Sequence, residues 1–451
     1  MDTALPRPTD PVAPASLSLS EALRFWLKLG FISFGGPAGQ IALMHEELVD
    51  RRRWISEKRF LHALNYCMLL PGPEAQQLAT YLGWLLHRTW GGILAGVLFV
   101  LPSLFIIMAL AWLYMAHGDM PVIAGIFYGI KPAVTALVAQ AAYRVGSRSL
   151  KSSWHWGIAA AAFIAIFALN VPFPLIVIAA AAIGFIGGKL RPEAFGGSSH
   201  EKSNARQPFG AALIDDDTPT PPHAQFSWRG FWRVSLVCLT LWGIAMGVLA
   251  TAFGLESPLV QMGWFFTKAA LMTFGGAYAV LPYVYQGAVE NFHWLTATQM
   301  IDGLALGETT PGPLIMVVSF VAFVGGWTKA IFGVDSLLLA GVVAAVIVTF
   351  FTFLPSFFFI FLGGPFIEST HGNLKFTAPL VGITAAVVGV ILNLAVFFAY
   401  HVVWPHGFAG HIEWPSIAIG LAAGIALLRF KINVIYVIVA AGLTGLLAQL
   451  W

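Results

Sequence analysis

Two identical tripeptides, Pro71-Gly72-Pro73 and Pro311-Gly312-Pro313, interrupt long apolar stretches of a 451-residue chain. Proline lacks an N–H and clashes with the preceding turn, so neither stretch continues as one helix. Phe34-Gly35-Gly36-Pro37 and Phe274-Gly275-Gly276 make two further interruptions. Each break starts a new half-helix whose first N–H groups have no partner within that helix. Such an end behaves as roughly half a positive charge, and glycine lets an anion approach the backbone closely. In hydrocarbon, freed backbone groups are tolerated only where they line a cavity or are covered by protein. The chemistry on offer is therefore anion coordination. Four half-helix starts meeting near the midplane form a cage of N–H donors suited to a small oxyanion. The plainer reading is kinks and packing glycines; four breaks in two matched pairs favour the cage.

The candidate substrate site is Gly35, Gly36, Pro37, Gln40, Pro71, Gly72, Pro73, Gln76, Gln77, Gly275, Gly276, Pro311, Gly312 and Pro313, with Lys28 and Lys268 as countercharges. The glutamine amides can donate to oxyanion oxygens. An ionised lysine at the bilayer centre costs about 3 kcal/mol on insertion scales. Lys28 can escape that cost by snorkelling to the cytoplasm; Lys268 lies between Trp264 and Phe274, which makes the escape harder. Lys131, in an otherwise apolar helix, is a further candidate. Glu74 follows the first Pro-Gly-Pro and Glu308 precedes the second. A carboxylate beside an anion site can carry a proton and couple transport to the proton gradient; the alternative is simple charge at a helix start. His45, Glu46 and Glu47 read as a solvated face, and Asp215-Asp216-Asp217 as a solvated loop rather than a metal site. Cys67 and Cys238 lie in apolar sequence and read as core residues. The chain has no P-loop, Gly-x-Ser-x-Gly or His-Glu-x-x-His, so an ATP-driven pump or membrane hydrolase has no positive support. No cofactor, metal or nucleic-acid partner is expected.

The elements that must position these residues are membrane helices. Hydrophobic residues make up 58% of the chain and charged residues 10%, against about 25% charged in a soluble domain. Several apolar runs exceed the roughly 18 residues that cross a bilayer. The two halves align without a gap at an offset of 240 residues: Lys28 with Lys268, Phe34-Gly35-Gly36 with Phe274-Gly275-Gly276, Trp54 with Trp294, and the two Pro-Gly-Pro turns. Leu101-Pro102-Ser103 and Leu354-Pro355-Ser356 match at an offset of 253. The loop from Asp50 to Arg59 is strongly basic, while its counterpart from Glu290 to Gln299 has no Lys or Arg. The positive-inside rule puts the first in the cytoplasm and the second outside. The expected fold is an all-α polytopic membrane protein with two inverted-topology repeats, broken re-entrant helices and one extra linking transmembrane helix. Its divisions are a cytoplasmic tail 1–18 without an evident cleavable signal, a first repeat 19–190, a mobile polar cytoplasmic linker 191–228, the extra helix 229–254, and a second repeat 255–451. Ser20 is the expected first N-cap. The N-terminus is expected in the cytoplasm and the C-terminus outside.

At Phe34-Gly35-Gly36-Pro37-Ala38-Gly39-Gln40, at Leu69 to Leu78, and at the second-half Phe274-Gly275-Gly276 and Thr310-Pro311-Gly312-Pro313, the chain resembles the chromate ion transporter family in its long, two-domain bacterial form. The resemblance covers nearly everything except the tail and linker. It implies an inner-membrane carrier, an antiporter that exports chromate, an analogue of sulfate, draws on the proton motive force and confers chromate resistance. Many members carry His after the first Gly-Gly-Pro, where this chain has Gln40. The alternatives are a passive anion channel, a sulfate carrier, or a membrane enzyme acting on an anionic lipid, for which no nucleophile and base can be placed. The expected partners are a small inorganic oxyanion and the lipid bilayer; a homodimer stays open.

Overall fold

The computed structural model describes residues 17–34, 36–118, 120–195, 212–370, 377–408 and 410–450. The described residues are helical and carry no strand; one isolated bridge pairs Ile55 with Ile214. In the first half run α1 (Leu19–Ile32), α2 (Gly36–His45), a π-helical turn (Glu46–Arg51), α3 (Glu57–Leu69), α4 (Glu74–His117), α5 (Pro121–Ser149), α6 (Ser153–Phe167), α7 (Phe173–Leu190) and the single turn α8 (Pro192–Phe195). α9 (Trp228–Phe253) links the halves. There follow α10 (Pro258–Leu271), α11 (Ala277–Tyr285), a second π-helical turn (Gln286–Asn291), α12 (Ala297–Thr309), a 3-10 turn (Leu314–Met316), α13 (Val317–Thr328), α14 (Leu337–Thr370), α15 (Thr377–Val403), α16 (Trp414–Leu428) and α17 (Val434–Leu450).

Among the described residues six stretches are long and apolar enough to cross a membrane: α4, α5, α7, α9, residues 334–369 and residues 378–403. The pieces on either side of the breaks are too short. α1, α2 and α3 have 14, 10 and 13 residues, and α10, α11 and α12 have 14, 9 and 13, against roughly 20 for a crossing. α4 carries its own kink, with non-helical backbone at His87 and Arg88. Thus the piece from Glu74 to Leu86 is a half-helix and the rest a full crossing.

Element bounds repeat at the 240-residue offset. The π-turns begin at Glu46 and Gln286, and α3 and α12 at Glu57 and Ala297. The latter two are capped by equivalent side chains, Ser56 accepting from Arg59 N–H and Thr296 accepting from Gln299 N–H. The first N-cap is Ser18, not Ser20: its hydroxyl accepts from Glu21 N–H at 3.2 Å, so the helix begins one residue before Ser20.

α4 and α14 pack on each other. Near its C-terminal end α4 places Tyr114 against Asp302 of α12, at 2.8 Å. α14 starts where α13 ends, with Gly326 pressed on the Ala340 backbone. It finishes at Glu368, which accepts from Arg59 in the first turn of α3 at 2.7 Å and from Tyr81 at 2.5 Å. Around this pair, α5 packs with α15, α16 and α17. Small residues allow the approach, as is usual between membrane helices. A Cβ on Gly129 would sit 1.9 Å from the Ala441 carbonyl oxygen.

The linker departs from the mobile segment expected. Residues 196–211 lie outside the described set, but residues 213–218 are docked on the basic loop. Leu213 and Ile214 donate to the carbonyls of Arg53 and Trp54, and Ser56 N–H returns a bond to Ile214. Ser56 Oγ donates to Asp216, and Arg59 to the Thr218 carbonyl. These hydrogen bonds hold the segment in place. Asp215 shapes the turn itself, accepting from the N–H groups of Ala212 and Asp216.

Candidate anion-binding site

All four breaks have the backbone that proline and glycine dictate. Leu70 and Thr310 end α3 and α12 in extended conformation, and Pro73 and Pro313, also extended, cap the helices that follow. Between them Gly72 and Gly312 adopt φ of 127° and 102°, a region that excludes most L-residues. A Cβ would also collide there: at Gly72 with Gln77 Nε2 (2.6 Å) and Ser356 Oγ (2.7 Å), at Gly312 with Ser103 Cβ (2.7 Å). The other two breaks turn at Gly36 (φ 72°) and at Gly275 and Gly276 (φ 78° and 97°). Gly35 lies outside the described residues.

The breaks interlock across the halves. Gly72 N–H donates to the Thr273 carbonyl at 2.7 Å, and Gly312 N–H to the Ser33 carbonyl at 2.8 Å. Ser33 and Thr273 are themselves equivalent at the 240-residue offset. Each Pro-Gly-Pro turn therefore hangs from the end of the other half's first helix, the reciprocal pattern of a two-fold contact. Gln40 adds a third tie: its Nε2 donates to the Ser33 carbonyl (3.2 Å) and the Gly312 carbonyl (2.6 Å). Two expectations change. The Gly72 and Gly312 amides, and the Gln40 donors, are committed to holding the halves together.

The donors left are the helix starts. The first α4 bond runs from Gln77 N–H to Pro73, which leaves Glu74, Ala75 and Gln76 ahead of it. In α11 the first runs from Ala279 N–H to Gly276, and after the fourth break from Met316 N–H to Pro313. These ends meet. One cavity is lined by Pro37 and Gln40 of the first break, Pro73, Glu74 and Ala75 of the second, Gly276 and Ala277 of the third, and Pro313, Leu314 and Ile315 of the fourth. Its volume is about 10 Å³, room for a single water. Four helix starts at roughly half a charge each place about two positive charges around that point.

Glu74 stands in the first turn of α4 at this cavity, half-buried, and among the described residues nothing makes a hydrogen bond or ion pair with its carboxylate. Glu308 lies two residues before Thr310 and is held by the hydroxyl of Tyr278, so it clasps the third break to the fourth. Gln76 and Gln77 are fully buried. Their Nε2 groups bind Thr80 and the Pro71 carbonyl, and their Oε1 atoms have no partner among the described residues. Pro71, Gly36, Gly275 and Pro311 build the turns behind the cavity. Lys28 and Lys268 do not join the set. Both side chains are exposed, Lys268 lies over the Trp264 ring at 5.7 Å, and neither lines the cavity.

Two groups escaped the sequence reading. Ser103 and Ser356, from the repeated Leu-Pro-Ser, press on Gly312 and Gly72 with buried hydroxyls that have no partner among the described residues. Their repetition was the available signal. Asp302, fully buried in α12, accepts from Tyr114 and faces Lys131 of α5 at 3.8 Å. Its place among the apolar residues of α12 was its only mark.

A family model described as chromate transporter matches residues 20–185 and 260–446, two stretches that begin 240 residues apart. A chromate transport protein from Pseudomonas aeruginosa is 34% identical over 97% of this chain and 94% of its own length. One from Cupriavidus metallidurans is 29% identical over 98% of both chains, and a probable chromate transport protein from Synechococcus elongatus 28% identical over 95% of both. No solved structure matches the chain. With a family model over most of its length and a relative of this similarity spanning nearly all of it, the chain belongs to the chromate transporter family.

Proposed function

We propose that the protein is a secondary active transporter that exports chromate, with sulfate as a second substrate, across the bacterial inner membrane, and so confers chromate resistance. One observation carries this reading: four helix starts from two equivalent halves line a single cavity. About two units of positive potential suit a doubly charged tetrahedral oxyanion. The opposed course of α4 and α14, one leaving the Arg59 end and the other finishing at it, supports inverted halves with the site between them.

The proton motive force acts here through its electrical part. A divalent anion leaving an inside-negative cell gains about 4.6 kcal/mol per 100 mV. Glu74 sets the proton's role. Its ionised carboxylate repels the anion, so anion binding favours a proton on Glu74, and the reverse holds equally. In this cycle the proton accompanies the anion instead of exchanging for it, a departure from the antiport expected from sequence. Export then carries one net negative charge, which the membrane potential still favours by about 2.3 kcal/mol per 100 mV.

Proteoliposomes test this. Labelled chromate should accumulate when the interior is made positive, unlabelled chromate inside should accelerate entry, and sulfate should compete. Uptake that is indifferent to chromate on the far side makes the protein a channel and overturns the carrier reading.

A further inference from the structure

A second cavity lies on the outer face, between α4, α9 and α14, and has no part in the four-break site. It is a groove of about 750 Å³ with a floor of Phe350, Phe353, Phe357 and aliphatic side chains. Along α4 it reaches from Arg88 to Leu104, about 24 Å at 1.5 Å per residue. α9, its outer wall, is almost wholly unburied, so the groove opens to lipid.

Its mouth is different. Arg88 and Arg233 both line it, both are exposed, and neither forms an ion pair among the described residues. Arg88 holds φ of 56° and ψ of −160° at the kink in α4, a conformation that non-glycine residues adopt only at a cost. A smaller polar recess shares Thr89 and Arg233 with the groove and adds His223 and Ser227, the N-cap of α9. Burial and the neighbouring Arg88 lower the pKa of His223, so the two arginines supply the charge. Trp90, Trp228 and Trp232 are exposed around the mouth. Exposed tryptophans mark the headgroup level. Two unpaired cations at that level, above a long apolar trough, complement a phosphate joined to an acyl chain.

We propose that this groove binds one anionic phospholipid, its phosphate between Arg88 and Arg233 and an acyl chain along α4 and α14.

Native mass spectrometry of the detergent-purified protein tests it with phosphatidylglycerol, phosphatidylcholine and inorganic phosphate as separate probes. The wild type should retain one phosphatidylglycerol, preferred over phosphatidylcholine by about 30-fold. R88Q/R233Q should bring the two lipids to equal retention, and residual phosphatidylcholine binding shows that variant to be folded. V237W fills the trough and should expel both lipids. Inorganic phosphate should not displace phosphatidylglycerol. Equal retention of both lipids by the wild type, an unchanged preference in R88Q/R233Q, or displacement by phosphate alone overturns the proposal.

Discussion

Replacing Glu74 with glutamine isolates the charge that opposes the anion. Glu74 lines a cavity of about 10 Å³ together with all four helix starts, so an anion bound at the proposed site would lie about 6 Å from its carboxylate. At that separation, repulsion between one negative charge and two is about 1.4 kcal/mol at the dielectric of water and about 5.5 kcal/mol at an effective value of 20. The lower bound already corresponds to about tenfold in affinity. Glutamine keeps the shape and removes the charge. The E74Q protein should bind chromate at least about tenfold more tightly than wild type at alkaline pH. It should also lose the rise in affinity that wild type shows as the medium is acidified. Binding of labelled chromate to detergent-purified protein across a pH series reads both effects, and pH-independent proteoliposome flux gives the transport counterpart. A wild type whose affinity is flat with pH, or an E74Q protein that binds no better at alkaline pH, refutes the assignment of the proton to Glu74.

The reciprocal turns predict equivalent damage. G72A and G312A each force a side chain into positive φ and into contacts of 2.6–2.7 Å; each should lower the unfolding midpoint and abolish counterflow, and one variant behaving as wild type breaks the symmetry of the argument. Removing one partner of the Arg59–Glu368 pair strands a buried carboxylate, at about 3 kcal/mol. R59A should therefore lose thermal stability, and the exchange R59E/E368R should recover part of it. D302N keeps the Tyr114 contact but ends the attraction to Lys131. It should change the pH dependence of flux without changing chromate affinity, because Asp302 does not line the cavity; a loss of binding places it in the site instead.

The breaks were legible because proline and glycine act locally. A missing N–H and a positive φ interrupt a helix whatever surrounds it, so residues 71–73 and 311–313 could be read from the chain alone. Convergence was argued from cost: four interrupted stretches in hydrocarbon must find cover, and they find it in one another. Less legible was where particular side chains point. Lys28 and Lys268 share a register with the breaks yet face outward, because three to five residues along a helix turn a side chain through an angle that composition does not reveal. Gln40 has donors to offer, but two carbonyls freed by the breaks take them. The linker looked mobile because it is polar; its order comes from a basic loop more than 150 residues earlier in the chain.

The size of the cavity bears on how such a protein moves its cargo. Room for one water does not admit a tetrahedral oxyanion, so the helix starts must separate for it to enter. They cannot separate independently. If the first Pro-Gly-Pro turn shifts, it draws on Thr273 at the end of α10, and if the second shifts it draws on Ser33 at the end of α1. Those two helix ends lead directly into the other two breaks. Opening one side therefore strains the equivalent contacts on the other. A structure built from equivalent halves can relieve that strain by exchanging their conformations at little net cost, which is the requirement for presenting one site alternately to two faces. The interlocked amides, lost as anion ligands, become the coupling between the halves. A cross-link that holds the end of α1 at Ser33 against the second Pro-Gly-Pro turn, which the Gly312 amide already joins, should then stop counterflow in both directions while leaving the unfolding midpoint intact. Loss of flux in one direction alone would separate the two gates and sink the idea.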